Sequence, residues 1–518
     1  MKWKISLGAA IGLPLAAGLL IMMAFSVAAV AESEVEVYTM GDTTGDWGYP
    51  SPYAHYVRGP GIVRMSLIFD TLVWKDDEGR VPALAESWAM EGDDVFLFNL
   101  RKGVTWHDGE PFDADDVVFC IDYYKEHPYP LVDSNIIDRA DKVDDYTVRL
   151  YLSSPYAPFL DQVAGTLPIL PEHIWKDVGD PVNFVGDEAL IGTGPYTLED
   201  YDKVQGTYQY RAYEDYYLGS PSVKEIRYIK ISTSNAAAAL MQGAVNAAEI
   251  QPEMIDPLRQ SGFEILTLPE HLSIYKLMIN HRSDPLSDKR FRQALAYAID
   301  RQTLVEIAAR GYGLAGSPGF IPSDNAWYNP EIDDYYPHDV QKARDLLREM
   351  GYDGRDIELL IVGGRVTDER IGELIKEDLE SVGINVVLRT MDSNTIDSKV
   401  KGWDFDLALN SHGGLVGDPN ILAFLTTSWD HFNSARYLED DELTDVLETQ
   451  VAEMDEDARG DLIDRAQVLY AEDVPSLPLY YPDSFVAHDG CVNLYYTWSG
   501  IALGTPTALG NKLSFIGV

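Results

Sequence analysis

Cysteine is almost absent: Cys120 and Cys491 are the only two in 518 residues. No Cys-x-x-Cys pair exists and the ten histidines are scattered, so no metal centre built on cysteine is expected. The two thiols stand far apart in sequence, and two separate buried thiols are expected rather than a disulfide. Basic residues are also scarce, 40 against 84 acidic ones, for a formal net charge of −44. Phosphate backbones need a basic surface, so a nucleic-acid partner is excluded. The acids are spread along the whole chain, which reads as a solubility device rather than a site for cationic ligands. Neither a Gly-x-Ser-x-Gly elbow nor a His-Glu-x-x-His helix occurs, so the signatures of common secreted hydrolases are missing. Internal repeats and low-complexity linkers are absent. Beyond the N-terminal 31 residues, no run is apolar enough to span a membrane.

What is present is globular. Hydrophobic residues make up 46% and charged residues 24%, and 518 residues allow two or three domains. The N-terminus begins with Lys2 and Lys4, continues uncharged from residue 5 to 30, and offers Ala29-Val30-Ala31 before Glu32. Two readings fit residues 1–31: a cleaved signal peptide, or a retained anchor with its lysines on the cytoplasmic side. Either places the bulk of the chain outside the cytoplasm. No cysteine lies near that site, which excludes attachment through a lipidated N-terminal cysteine.

Strand-like and helix-like segments then alternate, which argues an α/β architecture. Residues 357–362 read as a buried strand ending in Gly363-Gly364. A helix follows from about Asp368, with Ile371, Leu374, Ile375, Leu379 and Val382 on one face and Gly383 closing it. Residues 384–388 are the next strand, completing a βαβ unit of a parallel sheet. Residues 405–409 form a further strand, followed by a loop at Asn410-Ser-His-Gly-Gly414. Asp339 caps a helix that Gly351 ends, and Ser287 is read as the cap of a helix carrying Phe291, Leu295, Ala298 and Ile299. In open α/β sheets, ligands bind outside the carboxyl ends of the strands, and both Gly-Gly loops sit at such ends. Gly311-Tyr-Gly-Leu-Ala-Gly316 satisfies G-x-G-x-x-G, but it follows a helix rather than a strand, so a dinucleotide site fails its context test.

Several ordered motifs carry a resemblance. They include Ile68-Phe-Asp-Thr-Leu-Val-Trp-Lys75, Val81-Pro-Ala-Leu-Ala-Glu-Ser-Trp88, Gly192-Thr-Gly-Pro-Tyr196, Lys342-Ala-Arg-Asp-Leu-Leu347 and Asp473-Val-Pro-Ser-Leu-Pro-Leu-Tyr-Tyr481. Residues 98–118 and 241–246 add further matches, and the helix entry at residues 285–301 is the strongest. In number, order and spacing they resemble the family 5 extracellular solute-binding proteins, the peptide- and nickel-type receptors of ABC importers.

The resemblance implies a two-lobed periplasmic-binding-protein-like fold with a hinge, its discontinuous lobe I carrying an extra subdomain. Lobe I would comprise residues 32–269 and 482–518, lobe II residues 270–481, with hinge strands near 267–272 and 477–482. It implies a monomer without cofactor that captures a small solute, peptide first, and delivers it to an ABC permease. A nickel chelate or other small solute is the runner-up ligand, and a secreted hydrolase is the competing class.

The resemblance also points to ligand residues. Peptide receptors carry an arginine after the strand matching residues 357–362, which here is Arg365, just before a helix N-terminus that also suits an anion. The family's Gly-Asp-Pro is Gly417-Asp418-Pro419; without gaps, its amine-binding aspartate falls on Leu415 and a common tryptophan on His412. Asp418 is the substitute partner for an ammonium, and His412 with Gly413 lines the loop. Trp429 is a candidate stacking wall. Tyr53 lies in the N-terminal segment that the family places at the cleft.

Overall fold

The structure, a computed structural model, describes residues 35–43, 45–56, 59–76, 79–268, 271, 273–413, 417–429, 433–495 and 511–516. The two readings of residues 1–31, and Leu415, fall outside the described residues. Among the described residues, no helix is long and apolar enough to cross a membrane.

Two mixed sheets organise the chain. Sheet I has seven strands in the order Glu264–Thr267, Phe485–His488, Ala247–Ile250, Tyr38–Asp42, Glu225–Lys230, Thr207–Ala212 and Tyr196–Asp202. Sheet II has six: Gly313–Ala315, Ser476–Pro482, Ser273–Ile279, Leu407–Gly413, Ile357–Val362 and Val386–Met391. Sheet I is discontinuous in sequence, because its Phe485–His488 strand arrives after sheet II is complete. The chain therefore passes between the sheets twice, once between the strands Glu264–Thr267 and Ser273–Ile279 and once between Ser476–Pro482 and Phe485–His488. A separate antiparallel sheet of four strands, Ala85–Met90, Val95–Leu100, Thr147–Leu152 and Ile137–Asp144, is the extra unit in the N-terminal part.

Local sequence explains the elements. The helix Ala114–Glu126 starts on a reciprocal capping box between Asp113 and Asp116. Val340–Met350 starts on Asp339 and stops where Gly351 turns left-handed at φ 74°. The helix Lys289–Ala298 is capped by Asp288, which accepts from Arg290 N at 2.9 Å, and not by Ser287, whose hydroxyl instead donates to Asp284 Oδ1. Strand Ser273–Ile279 alternates between two cores. Leu277 and Ile279 join Phe291, Leu295, Ile371 and Leu407 on one face, and Ile274 joins Phe320, Leu422, Leu447 and Tyr470 on the other. The strand expected at residues 405–409 runs instead from Leu407 to Gly413, because Ser273 and Ile274 pair with Gly413 and His412. The cysteines are both free: Cys120 is buried, accepting from Leu170 N at 2.9 Å, but Cys491 is exposed, which corrects the expectation of two buried thiols.

Candidate functional site

Strand directions locate the site. In sheet II, Ile357–Val362, Val386–Met391 and Leu407–Gly413 run parallel. Ser273 pairs with Gly413, and Tyr275 with Tyr480. The carboxyl ends of the parallel strands therefore lie at the end where the chain enters and leaves sheet II. Sheet I repeats the arrangement. Tyr38–Asp42 runs parallel to Glu225–Lys230 and to Ala247–Ile250, while Ile250 and Thr267 both pair with Phe485 beside the crossings. Both sheets thus present the carboxyl ends of parallel strands to the same pair of crossings, and that is where open α/β sheets bind ligands.

On sheet II this end carries Arg365, Asp368, Tyr275, Tyr480, His412 and Gly413. Gly364 takes φ 78°, and a Cβ on Gly363 would stand 2.5 Å from Thr390 Cγ2, so this turn needs its glycines. The turn delivers Arg365 to the N-cap position of the helix Val366–Ser381. Its side chain is 56% exposed, with Nη1 3.9 Å from Asp368 Oδ2 and Nη2 3.5 Å from Ser393 Oγ. Among the described residues no closer partner uses up that guanidinium, so it can take a bidentate anion. Asp368 is buried and its Oδ1 has no hydrogen-bond partner. Burial raises its pKa, with the Arg365 charge working against the rise. The Tyr275 and Tyr480 rings stack at 4.9 Å between centroids. His412 Nδ1 lies 2.8 Å from Gly413 O. One strand position further in, burial pushes the Lys276 ammonium down to about 7, and its Nζ donates to Asn433 O at 2.5 Å.

On sheet I, Asp42 ends its strand by accepting from Arg64 Nη2 at 2.5 Å and Trp47 Nε1 at 2.7 Å. The Arg64 guanidinium lies 3.5 Å from the Tyr228 ring centroid. Asp46 follows. Burial opposes its charge, but the hydroxyls of Tyr201 at 2.6 Å and Tyr56 at 3.2 Å hold it below the usual carboxylate range. Fixed acids, phenols and an indole therefore rim this end.

The remaining expected residues lie elsewhere. Asp418 is buried, with both oxygens engaged by Arg459, at 2.8 Å from Nη1 and 2.6 Å from Nη2. It holds the start of the helix Asn420–Thr427, accepting from Asn420 N at 2.9 Å, and is not an open ammonium partner. Trp429 is 49% exposed and packs with Trp403 at 6.3 Å, under the Arg282 guanidinium. Trp403 O accepts from Asn280 beside Leu407, at the opposite end of that strand, about 20 Å from Gly413 at ~3.3 Å per residue. Tyr53 packs against Tyr123, Tyr124, Tyr129 and Trp175, and its hydroxyl donates to His127 O. The structure thus brings Arg365, His412 and Gly413 to one strand end, places Trp429 toward the other end of that strand, and packs Tyr53 among aromatic rings of the N-terminal part. Sequence reasoning missed Asp368, Tyr275 and Tyr480, whose joint placement rests on pairing between distant strands.

The two halves touch. Ala157 N donates to Val451 O at 2.8 Å, Asn420 Nδ2 donates to Gln162 Oε1 at 3.3 Å, and Arg310 pairs with Glu253 at 3.0 Å. A cavity of about 520 Å³ lies between them, with Lys75, Arg80 and Asp161 on one side and Trp327, Asp418 and Arg459 on the other. Among the described residues, no cluster of three His, Cys, Asp or Glu side chains could hold a metal ion.

Comparison with known proteins gives the family and the fold. A model of the bacterial extracellular solute-binding proteins, family 5 (middle region), matches residues 80–434. The dipeptide-binding protein of Escherichia coli (strain K12) is 28% identical over 440 residues, 78% of this chain and 81% of the relative. The ABC transporter substrate-binding protein CtaP of Listeria monocytogenes superposes with a TM-score of 0.79 at 23% identity, covering 91% of this chain and 98% of its own. NikZ of Campylobacter jejuni, solved in complex with Ni(L-His), gives 0.75 at 22% identity, covering 93% of this chain and 99% of its own. The fold is accordingly the two-lobed α/β fold of periplasmic binding proteins.

Proposed function

Because this chain belongs to the bacterial extracellular solute-binding proteins of family 5, we propose that it captures a small solute outside the cytoplasm and delivers it to an ABC permease. Residues 32–269 with 482–518 would form lobe I and residues 270–481 lobe II. The solute would sit between them, and the closed form would dock on the permease. One observation carries this reading: both sheets turn the carboxyl ends of their parallel strands toward the two chain crossings. Closure about two short connections needs only a few residues to absorb the backbone change. Residues 1–31, cleaved or retained as an anchor, would serve export.

Peptide is the leading ligand. The Escherichia coli relative is named for dipeptides, and the site offers a guanidinium beside a helix N-terminus for a carboxylate, with the half-buried Tyr275 ring, backed by buried Tyr480, as an apolar wall. Arg365, His412 and Gly413 would contact the ligand, while Asp418 would fix the start of the helix Asn420–Thr427 through Arg459. A second reading, a nickel chelate, is favoured by His412 at the strand end and by the Ni(L-His) complex of NikZ. Without a protein cluster of metal ligands among the described residues, such a metal would arrive with its own chelator.

Native mass spectrometry of the solute that co-purifies separates these readings. A peptide or a nickel chelate released unchanged supports a receptor, whereas catalytic conversion would overturn it. Arg365→Ala should weaken a peptide with a free carboxylate by roughly 1.5–3 kcal/mol, the value of a hydrogen bond to a charged group. Calorimetric titration measures this, and unchanged affinity would remove Arg365 from the site.

A further inference from the structure

His271 lies in the first crossing between the sheets, and the second crossing begins at Asp483. Its Nε2 is 2.8 Å from Asp483 Oδ1, and its Nδ1 is 2.7 Å from Asp324 Oδ2. Asp324 belongs to the loop after the sheet II edge strand Gly313–Ala315. A carboxylate only accepts hydrogen bonds, so both ring nitrogens must donate, which only the doubly protonated imidazolium can do. The side chain is 13% exposed, so water cannot readily replace either bond. The two carboxylates sit on opposite ring nitrogens, so the three groups do not converge as metal ligands would. Among the described residues, the titratable groups facing the ring are Asp324, Asp483 and Tyr481, whose ring stands edge-on at 6.4 Å.

We propose that the His271 imidazolium is a proton-operated clamp that ties the two crossings to each other and to lobe II. The proposal rests on the solute-capture reading only in treating the crossings as a hinge. With the proton on, two charge-assisted bonds hold the crossings in register. With it off, one ring nitrogen turns a lone pair toward a carboxylate, and one tie is lost. Burial alone would depress the imidazole, but the two aspartates outweigh it and raise its pKa from 6.5 to about 9. The sign follows from linkage. A folded value above the unfolded one gives a contribution fully present below pH 6.5 and lost as pH rises through about 9. The clamp is therefore closed at neutral pH and opens in alkaline medium.

Selective ¹⁵N-histidine NMR tests the charge state, with His271→Gln assigning the resonance. Both nitrogens should carry protons near neutral pH and release one near the alkaline value; a resonance that titrates on the acid side of neutrality overturns the clamp. Asp324→Asn should lower that titration point with the fold unchanged by circular dichroism, and an unmoved titration counts against the proposal.

Hydrogen exchange of strands Ser476–Pro482 and Phe485–His488, corrected for intrinsic rates, tests the mechanical consequence. Wild-type protection should fall about tenfold from neutral to alkaline pH. His271→Gln should start low and show no such step, and wild-type protection with the same step in the variant overturns the clamp. If His271 titrates as described but ligand produces no compaction in solution scattering, solute capture fails and the clamp stands. The reverse pattern overturns the clamp alone.

Discussion

Replacing Lys512 by alanine lowers the stability of the lobe built on sheet I by ~3–5 kcal/mol, the cost of stranding one member of a buried ion pair. Lys512 is 1% exposed and its ammonium pairs with Asp70, which is fully buried. It also donates to Ser66 O at 3.1 Å and lies 4.1 Å from the Trp74 ring centroid. Burial pushes the Lys512 ammonium down and Asp70 opposes this, so the pair exists only as a unit. Among the described residues, Asp70 would keep only weak donors, Thr193 Oγ1 at 3.3 Å and Tyr216 OH at 3.4 Å, with no cation paired to it. The 3₁₀ turn Lys512–Phe515 would lose its anchor to the helix Gly59–Ser66. Scanning calorimetry should show the melting temperature falling by several degrees. The double variant Lys512→Met with Asp70→Asn should recover part of the loss, because removing both charges leaves no bare carboxylate. A single variant that melts like wild type would refute the pair's role.

Replacing Arg459 by leucine costs a similar ~3–5 kcal/mol, this time in the lobe built on sheet II, and it also degrades the site. Arg459 clamps both oxygens of Asp418 and donates to Gln450 O at 3.0 Å. The pair is nearly inaccessible, with side chains 6% and 4% exposed. Asp418 Oδ1 also accepts from Asn420 N at 2.9 Å, where the helix Asn420–Thr427 begins. Losing the fork frees Asp418 and the start of the helix Asn420–Thr427, so ligand affinity should drop although Arg459 is not assigned to the ligand. Calorimetry and ligand titration read the two effects separately. A destabilised protein with unchanged affinity would confine the pair to folding.

What could be read from the sequence was what is local. Asp339 and Gly351 bound their helix as their spacing predicts, and Ile357–Val362 is the strand its apolar run predicts. The α/β class followed from the alternation of strand-like and helix-like segments, and the family from ordered motifs. What stayed hidden depends on partners far along the chain. The strand at Leu407 extends to Gly413 only because Ser273–Ile279 lies beside it. Asp418 looked free because Arg459 is 41 positions away, and the His271–Asp483 contact spans 212 positions. No period of two or 3.6 residues encodes such pairs. Trp429 looked like a cleft wall because tryptophans favour pockets, yet the helix after Pro419 carries it down to Trp403 at the other strand end.

The central claim is that a solute is held between two lobes that close upon it. Small-angle scattering of the protein, stripped of bound solute and then saturated with the one identified by mass spectrometry, tests it most directly. A fall in the radius of gyration on saturation is the predicted result; identical scattering curves at full occupancy would contradict it.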